Sequence, residues 1–298
     1  MNIGILDFGI RERTVSSIEN LENLTEALRA ADSFGFERYW LSEHHSSSPI
    51  SMWSNPEVLI PLLTGMTEQM KIGVGGIQLN LHSPYRIAYT FKLLSNLFPE
   101  RIELGLAKGY NKGVYTIQAV KSFFQTDGNQ SFEDKVQELF DFYNKEDFYY
   151  ENGIVLPPYK GLVPDVFYLK GREANFEEIV HNKGHLVRTI FHHGSDPEIN
   201  KEKIDEFKEN YIAVNKTQPI ICLSFSGACN ISRKKALQSF EGFDFGFIED
   251  NLVGEAQFIV ERLKYYTDRY GIENFLFMDV ALSHSDRLKG MEQLAKYI

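Results

Sequence analysis

Eight short β-rich runs, each followed by sequence of helical period, organise this 298-residue chain. The runs are Ile3–Phe8, Arg38–Ser42, Lys71–Leu79, Arg101–Ala107, Asp165–Leu169, Leu186–Phe191, Pro219–Phe225 and Asn274–Phe277. Between them, Ile18–Gly35 carries Leu21, Leu24, Leu28 and Ala31 on one helical face and has Gly35 as its stop. Asn55–Glu68 opens on Asn55 as cap and Pro56 at the first helical position, where the missing N–H costs nothing, and Pro84–Leu97 also opens on a proline. Helical pattern returns at Phe176–Asn182, Lys201–Val214, Gly254–Tyr270 and His284–Tyr297. Regular βα alternation implies a parallel sheet, because a strand that re-enters a sheet after a helical crossover runs in the same direction. Eight units imply closure into a (β/α)8 TIM barrel, read as one domain over residues 1–298.

The stretch from Gly109 to Pro164 is too long for a plain βα turn. It holds an amphipathic helix at about Phe132–Asn144 and then the aromatic run DFYYENGIVLPPYKG. An insertion after strand four is expected on the C-terminal face of the barrel, where active sites are built, or else as padding, and the sequence leaves both open. Its aromatic residues, Phe123, Phe124, Phe148, Tyr149 and Tyr150, suit an apolar or peptide ligand as well as they suit packing.

Charge narrows the partners. A net charge of -10 with no basic run excludes the electrostatic footprint of nucleic-acid binding and of anionic lipid. No apolar stretch approaches the roughly 20 residues of a membrane span. The opening MNIGILDFGIRERT, interrupted by Asp7, does not read as a signal peptide. Two cysteines, Cys222 and Cys229, form no CxxC pair and are read as reduced thiols, so the expected location is cytoplasmic.

In a barrel the strand ends share the one concave surface, so polar residues there are the candidates for chemistry. Strand two ends in Ser42-Glu43-His44-His45, and histidine can hold a proton near neutral pH. His181 and His185 have HxxxH spacing but precede strand six, at the wrong end of the barrel. His192-His193 form a second adjacent pair, yet no carboxylate ligand pattern accompanies either pair, so no metal site is expected. Neither GxGxxG nor a P-loop occurs. Two Gly-bearing turns, LGLAKGYNKG with Lys108 and LKGREAN with Gly171 and Arg172, follow strands four and five and are expected to share one phosphate.

These residues resemble a family. RYWLSEHH followed by NPEVL, then KIGVGGIQLNLHSPYRIAYTFKLLSNLFPERIELGLAKG, is similar to the second to fourth units of bacterial-luciferase-like flavin-dependent monooxygenases. VGEAQFIVERLKYYTDRYGIENFLF resembles the family's C-terminal unit. The likeness is dense over 1–110, thin over 111–215 and moderate beyond. It implies a luciferase-like barrel that binds FMN or the deazaflavin F420, with NAD(P)H as an electron source. It also implies a homodimer through the second and third helices.

By residue, the resemblance implies that His44 is the catalytic histidine facing the barrel mouth. Gly75-Gly76 becomes a bulge with a cis peptide beneath the flavin ring, and Lys108 stands where an arginine contacts the flavin phosphate. Three departures stand out. The serine-rich phosphate turn after strand five reads Gly171-Arg172-Glu173-Ala174-Asn175-Phe176, the usual glycine of LGLGRG is Ala107, and no cysteine accompanies Lys108. The implied function is a monooxygenase using reduced FMN on an organic small molecule or peptide. The alternatives are a reductase of an activated C=C that uses flavin or F420, and a barrel that binds flavin without catalysis.

Overall fold

In the computed structural model, residues 1–12, 14–45, 53–109, 130–170, 176–190, 199–241 and 252–298 are described. Eight parallel strands close a barrel. They are β1 (Asn2–Asp7), β2 (Arg38–Leu41), β3 (Lys71–Gln78), β4 (Ile102–Ala107), β5 (Asp165–Lys170), β6 (His185–Thr189), β7 (Ile221–Cys229) and β9 (Asn274–Asp279). Each strand from β1 to β6 pairs with the next, β6 pairs with β7 (Val187 opposite Cys222), β7 with β9, and β9 closes on β1 (Ile3 opposite Phe275). A two-residue strand the periodicity did not show, β8 (Val253–Gly254), extends the far end of β7 by pairing with Ala228 and Cys229.

The helices follow the alternation: α1 (Ser17–Ser33), α2 (Pro56–Gly65), α3 (Pro84–Leu97), α4 (Phe132–Asn144), α5 (Glu146–Glu151), α6 (Glu177–His181), α7 (Lys201–Asn215), α8 (Arg233–Gln238), α9 (Ala256–Tyr270) and α10 (His284–Leu294). Local chemistry sets their ends. Ser16 and Glu19 form a reciprocal capping box on α1, Ser131 and Asp134 form another on α4, and Ser83 caps α3 ahead of Pro84. Asn55 occupies the cap position of α2 without a side-chain capping bond, so Pro56 marks that start alone. Gly35, at φ +86, lets the chain turn out of α1 into β2.

Strand alternation divides the core into two layers. Leu6, Trp40, Phe167, Val187, Cys222 and Leu276 point inward and fill the barrel, while Ile5, Tyr39, Leu41, Val74, Leu104 and Phe277 point outward beneath the helices. The barrel interior carries a buried charge pair. Arg38 Nε lies 3.2 Å from Glu103 Oε2, which also accepts from Trp40 Nε1 at 2.6 Å. Gly4 makes room for this arrangement, since a Cβ there would lie 2.2 Å from Arg38 Cγ. A packed and charge-neutral interior directs ligand binding to the C-terminal rim.

The described part of the long connection from β4 to β5 belongs to the barrel wall. Helix α4 runs beside α3 in the same direction: Lys135 reaches the turn before α3, Tyr143 donates to the Ala88 carbonyl, Lys92 pairs with Glu146, and Asn96 donates to the Leu162 carbonyl. It is therefore the helix of the fourth barrel unit. Phe148, Tyr149 and Tyr150, just after Glu146, stand on the outer flank of α3 rather than at the mouth, with Tyr149 packed 4.5 Å from Phe142. Phe123 and Phe124 lie outside the described residues.

Candidate active site

Three adjacent strand ends carry the candidate residues. β2 runs into Ser42, Glu43, His44 and His45. Trp40 points inward and Tyr39 and Leu41 outward. His44 follows with its ring 4.9 Å from that of Phe8, which belongs to the inner cluster, so the imidazole stands on the mouth side of the barrel wall. Its Nδ1 is 3.0 Å from Ser42 Oγ, and its backbone N–H donates to the Trp53 carbonyl at 2.9 Å.

At the end of β3 the register with β4 shifts between Val74 and Ile77, and the peptide between Gly75 and Gly76 is cis. Both the bulge and the cis bond match what the resemblance implies. The two glycines are required by close approach. A Cβ on Gly75 would lie 2.4 Å from the Trp40 ring, and one on Gly76 would lie 2.7 Å from the Gly105 carbonyl oxygen. At the end of β4, Lys108 Nζ lies 3.9 Å from Glu133 of α4, with both side chains largely exposed. Such a pair is weak and leaves the cation available to a competing anion. Gly109 follows at φ +72. Gly171 and Arg172 lie outside the described residues, as do His192 and His193. Among the described residues no group of three or more His, Cys, Asp or Glu side chains is arranged to hold a metal.

The sequence reading passed over the strongest polar cluster of the rim. Glu43, lying between Ser42 and His44, is buried. Its Oε1 lies 2.5 Å from His45 Nε2 and 2.7 Å from His82 Nε2. Its Oε2 accepts from the Gln78 N–H at 2.7 Å, and its backbone carbonyl accepts from Gln78 Nε2 at 2.7 Å. Burial alone would raise this carboxyl, but the hydrogen bonds from His45, His82 and the Gln78 N–H outweigh it and hold the group at about 2. The signal available in the sequence was a carboxylate beside two histidines. Its third partner, His82, is brought in only by the turn after β3.

The described residues fit a flavin on two counts. The end of β3 carries no side chains at Gly75 and Gly76, with His44 following the neighbouring strand β2, and Lys108 supplies a cation at the next strand end for a phosphate.

Fold and rim together define a class, the parallel (β/α)8 barrels whose polar residues and glycines gather at the C-terminal strand ends. Within that class, residues 1–144 match the sequence model of the luciferase-like monooxygenases. The chain is 26% identical over 214 residues to the uncharacterized protein YceB of Bacillus subtilis (strain 168), covering 71% of this chain and 63% of that one. It is 30% identical over 148 residues to the N-acetyl-S-alkylcysteine monooxygenase of the same organism, covering 50% of this chain and 43% of that one. It thus spans less than two thirds of either relative's length.

Three solved structures share the fold. Apo-MsnO8 superposes with a TM-score of 0.82 at 18% identity, over 99% of this chain and 97% of that one. The oxygenating constituent of 3,6-diketocamphane monooxygenase from the CAM plasmid of Pseudomonas putida, a type II Baeyer-Villiger enzyme in complex with FMN, gives 0.74 at 17%, over 99% and 96%. An F420-dependent secondary alcohol dehydrogenase gives 0.59 at 11%, over 98% and 97%.

Proposed function

We propose that the protein is a flavin-dependent oxidoreductase, a monooxygenase that uses reduced FMN on an organic small molecule or peptide. The observation that carries this reading is the make-up of the rim. His44, the Gly75-Gly76 ledge and Lys108 stand at the ends of three neighbouring strands, all inside the stretch that matches the family. Reduced FMN, when bound, supplies the electrons for oxygen activation. The chain's own share is to seat the ring against the glycine ledge, to neutralise the phosphate with Lys108, joined by Gly171 and Arg172 after β5, and to hold a proton at His44. With Nδ1 of that imidazole 3.0 Å from Ser42 Oγ, the reading assigns proton transfer to Nε2.

The same reading takes NAD(P)H as the ultimate electron source and a homodimer as the working form. It places the protein in the cytoplasm, in keeping with two buried free thiols and with the absence, among the described residues, of any helix long and apolar enough to cross a membrane.

The test is an anaerobic titration with reduced FMN or reduced F420, followed by addition of oxygen. Tight binding of reduced FMN with substrate turnover that needs oxygen supports the reading. Substrate-driven reoxidation without oxygen makes it a reductase, preference for F420 replaces the cofactor, and binding of neither removes the flavin assignment. His44→Ala should lower turnover by about 100-fold while changing flavin affinity little.

A further inference from the structure

The Glu43 cluster joins three elements that share no sequence neighbourhood. Glu43 and His45 follow β2, Gln78 ends β3, and His82 sits in the turn between β3 and α3. That turn is in turn gripped from α4, where the buried Lys135 donates to the carbonyls of Asn80 at 3.1 Å and His82 at 3.0 Å. Among the described residues the cluster is most open at His45, whose side chain is 22% exposed while those of His82 and Glu43 are 9% and 0%.

The charge state of Glu43 decides the tautomers. A carboxylate held at about 2 is ionised at neutral pH and has no proton to give. Each imidazole nitrogen facing Oε1 must then carry the hydrogen, so His45 and His82 both bind through Nε2–H, and each keeps Nδ1 as its basic nitrogen.

We propose that Glu43 is the positioning residue of this rim, locking His45 and His82 as Nε2–H tautomers in fixed orientation, with Lys135 of α4 holding the His82 end of the lock. His45, at the exposed end, is then presented beside His44 with the opposite ring nitrogen as its base. The proposal rests on the flavin-dependent reading for its activity readout only.

Nitrogen-15 spectroscopy of the histidine rings tests it directly, and eight histidines make a sparse spectrum. In the unaltered protein the ring signals of His45 and His82, assigned by single substitution, should show Nε2–H tautomers near pH 7. Either ring found as Nδ1–H, or as a rapidly averaged mixture, overturns the lock. In Glu43→Gln both rings should lose the fixed tautomer, and kcat should fall about 100-fold with flavin affinity within about threefold. In Lys135→Met the His82 signal should shift while that of His45 stays. Unchanged ring signals in Glu43→Gln would also overturn the proposal. If Glu43→Gln does not fold, the spectrum of the unaltered protein still decides. If that protein binds no flavin, the proposed activity fails while the tautomer result stands on its own.

Discussion

Glu43 and Asp279 are carboxyls at strand ends that their surroundings drive in opposite directions. Glu43 receives hydrogen bonds on both oxygens and is held at about 2. Asp279 accepts the Ala281 N–H on Oδ1, but its Oδ2 is sealed from solvent with no hydrogen-bond partner among the described residues, and burial pushes the group up to about 7 against the pull of Arg287. The stability consequences have opposite sign. For Glu43 the folded value is depressed, so its contribution is present above the ordinary carboxylate range and is lost as pH falls toward 2. Glu43→Gln should therefore destabilise by about 3 kcal/mol at pH 7 and by far less at pH 2–3, as read by denaturant unfolding at each pH. For Asp279 the folded value is raised, so stability is full below about pH 4 and falls as pH rises through 7. Asp279→Asn should equal the unaltered protein at low pH and exceed it at pH 8, by on the order of 4 kcal/mol. A constant offset across that range would sink this assignment. Neither carboxyl's state could be read from its neighbours in sequence alone: His45 is close to Glu43 in the chain, but its other partners, Gln78 and His82, lie 35 and 39 residues away.

At the scale of elements, the connection from β4 to β5 is held by charge as well as by apolar packing. The Lys92 side chain of α3 is 1% exposed and pairs with Glu146 at the start of α5. Removing one partner leaves the other charge buried and alone, a loss of about 3–5 kcal/mol. Glu146→Gln should lower the melting temperature sharply, and the double variant Lys92→Met/Glu146→Gln should recover most of the loss. A double variant no better than the single one would show that the pair does not carry the contact. Helix α4 was legible as an amphipathic run. Its place as the fourth barrel helix was not, because amphipathicity states that one face is covered without stating by what. The two-residue β8 lies below the length at which alternation carries a signal.

For the whole molecule, the expected dimer face divides on inspection of burial. Leu63, Ile87, Phe91 and Leu94 are spent in the core of the single chain, and Leu59 packs against it. Val58 and Leu62 on α2 and Tyr85 and Tyr89 on α3 remain exposed, and the flank of α3 adds Phe148, Tyr150, Leu162 and Val163. Apolar residues so numerous on one side of a barrel suit a second copy of the chain. The proposed homodimer predicts twice the chain mass by light scattering, and Leu62→Lys should shift the population toward single chains without lowering helix content. A single-chain mass for the unaltered protein would dismiss the dimer.

By itself the sequence determined the eight βα units, the parallel sense of the strands and the rim positions of His44, Gly75, Gly76 and Lys108. Hydrophobic period and strand ends are local properties, set within a few residues. Only the tertiary structure decided that α4 belongs to the barrel wall, that Leu63, Ile87, Phe91 and Leu94 of the second and third helices are core, and that His45 and His82 meet on the Glu43 carboxylate. A buried charge is settled also by the groups that closure of the barrel brings to it, and for Glu43 the neighbouring strand and the turn beyond it add Gln78 and His82 to the local His45.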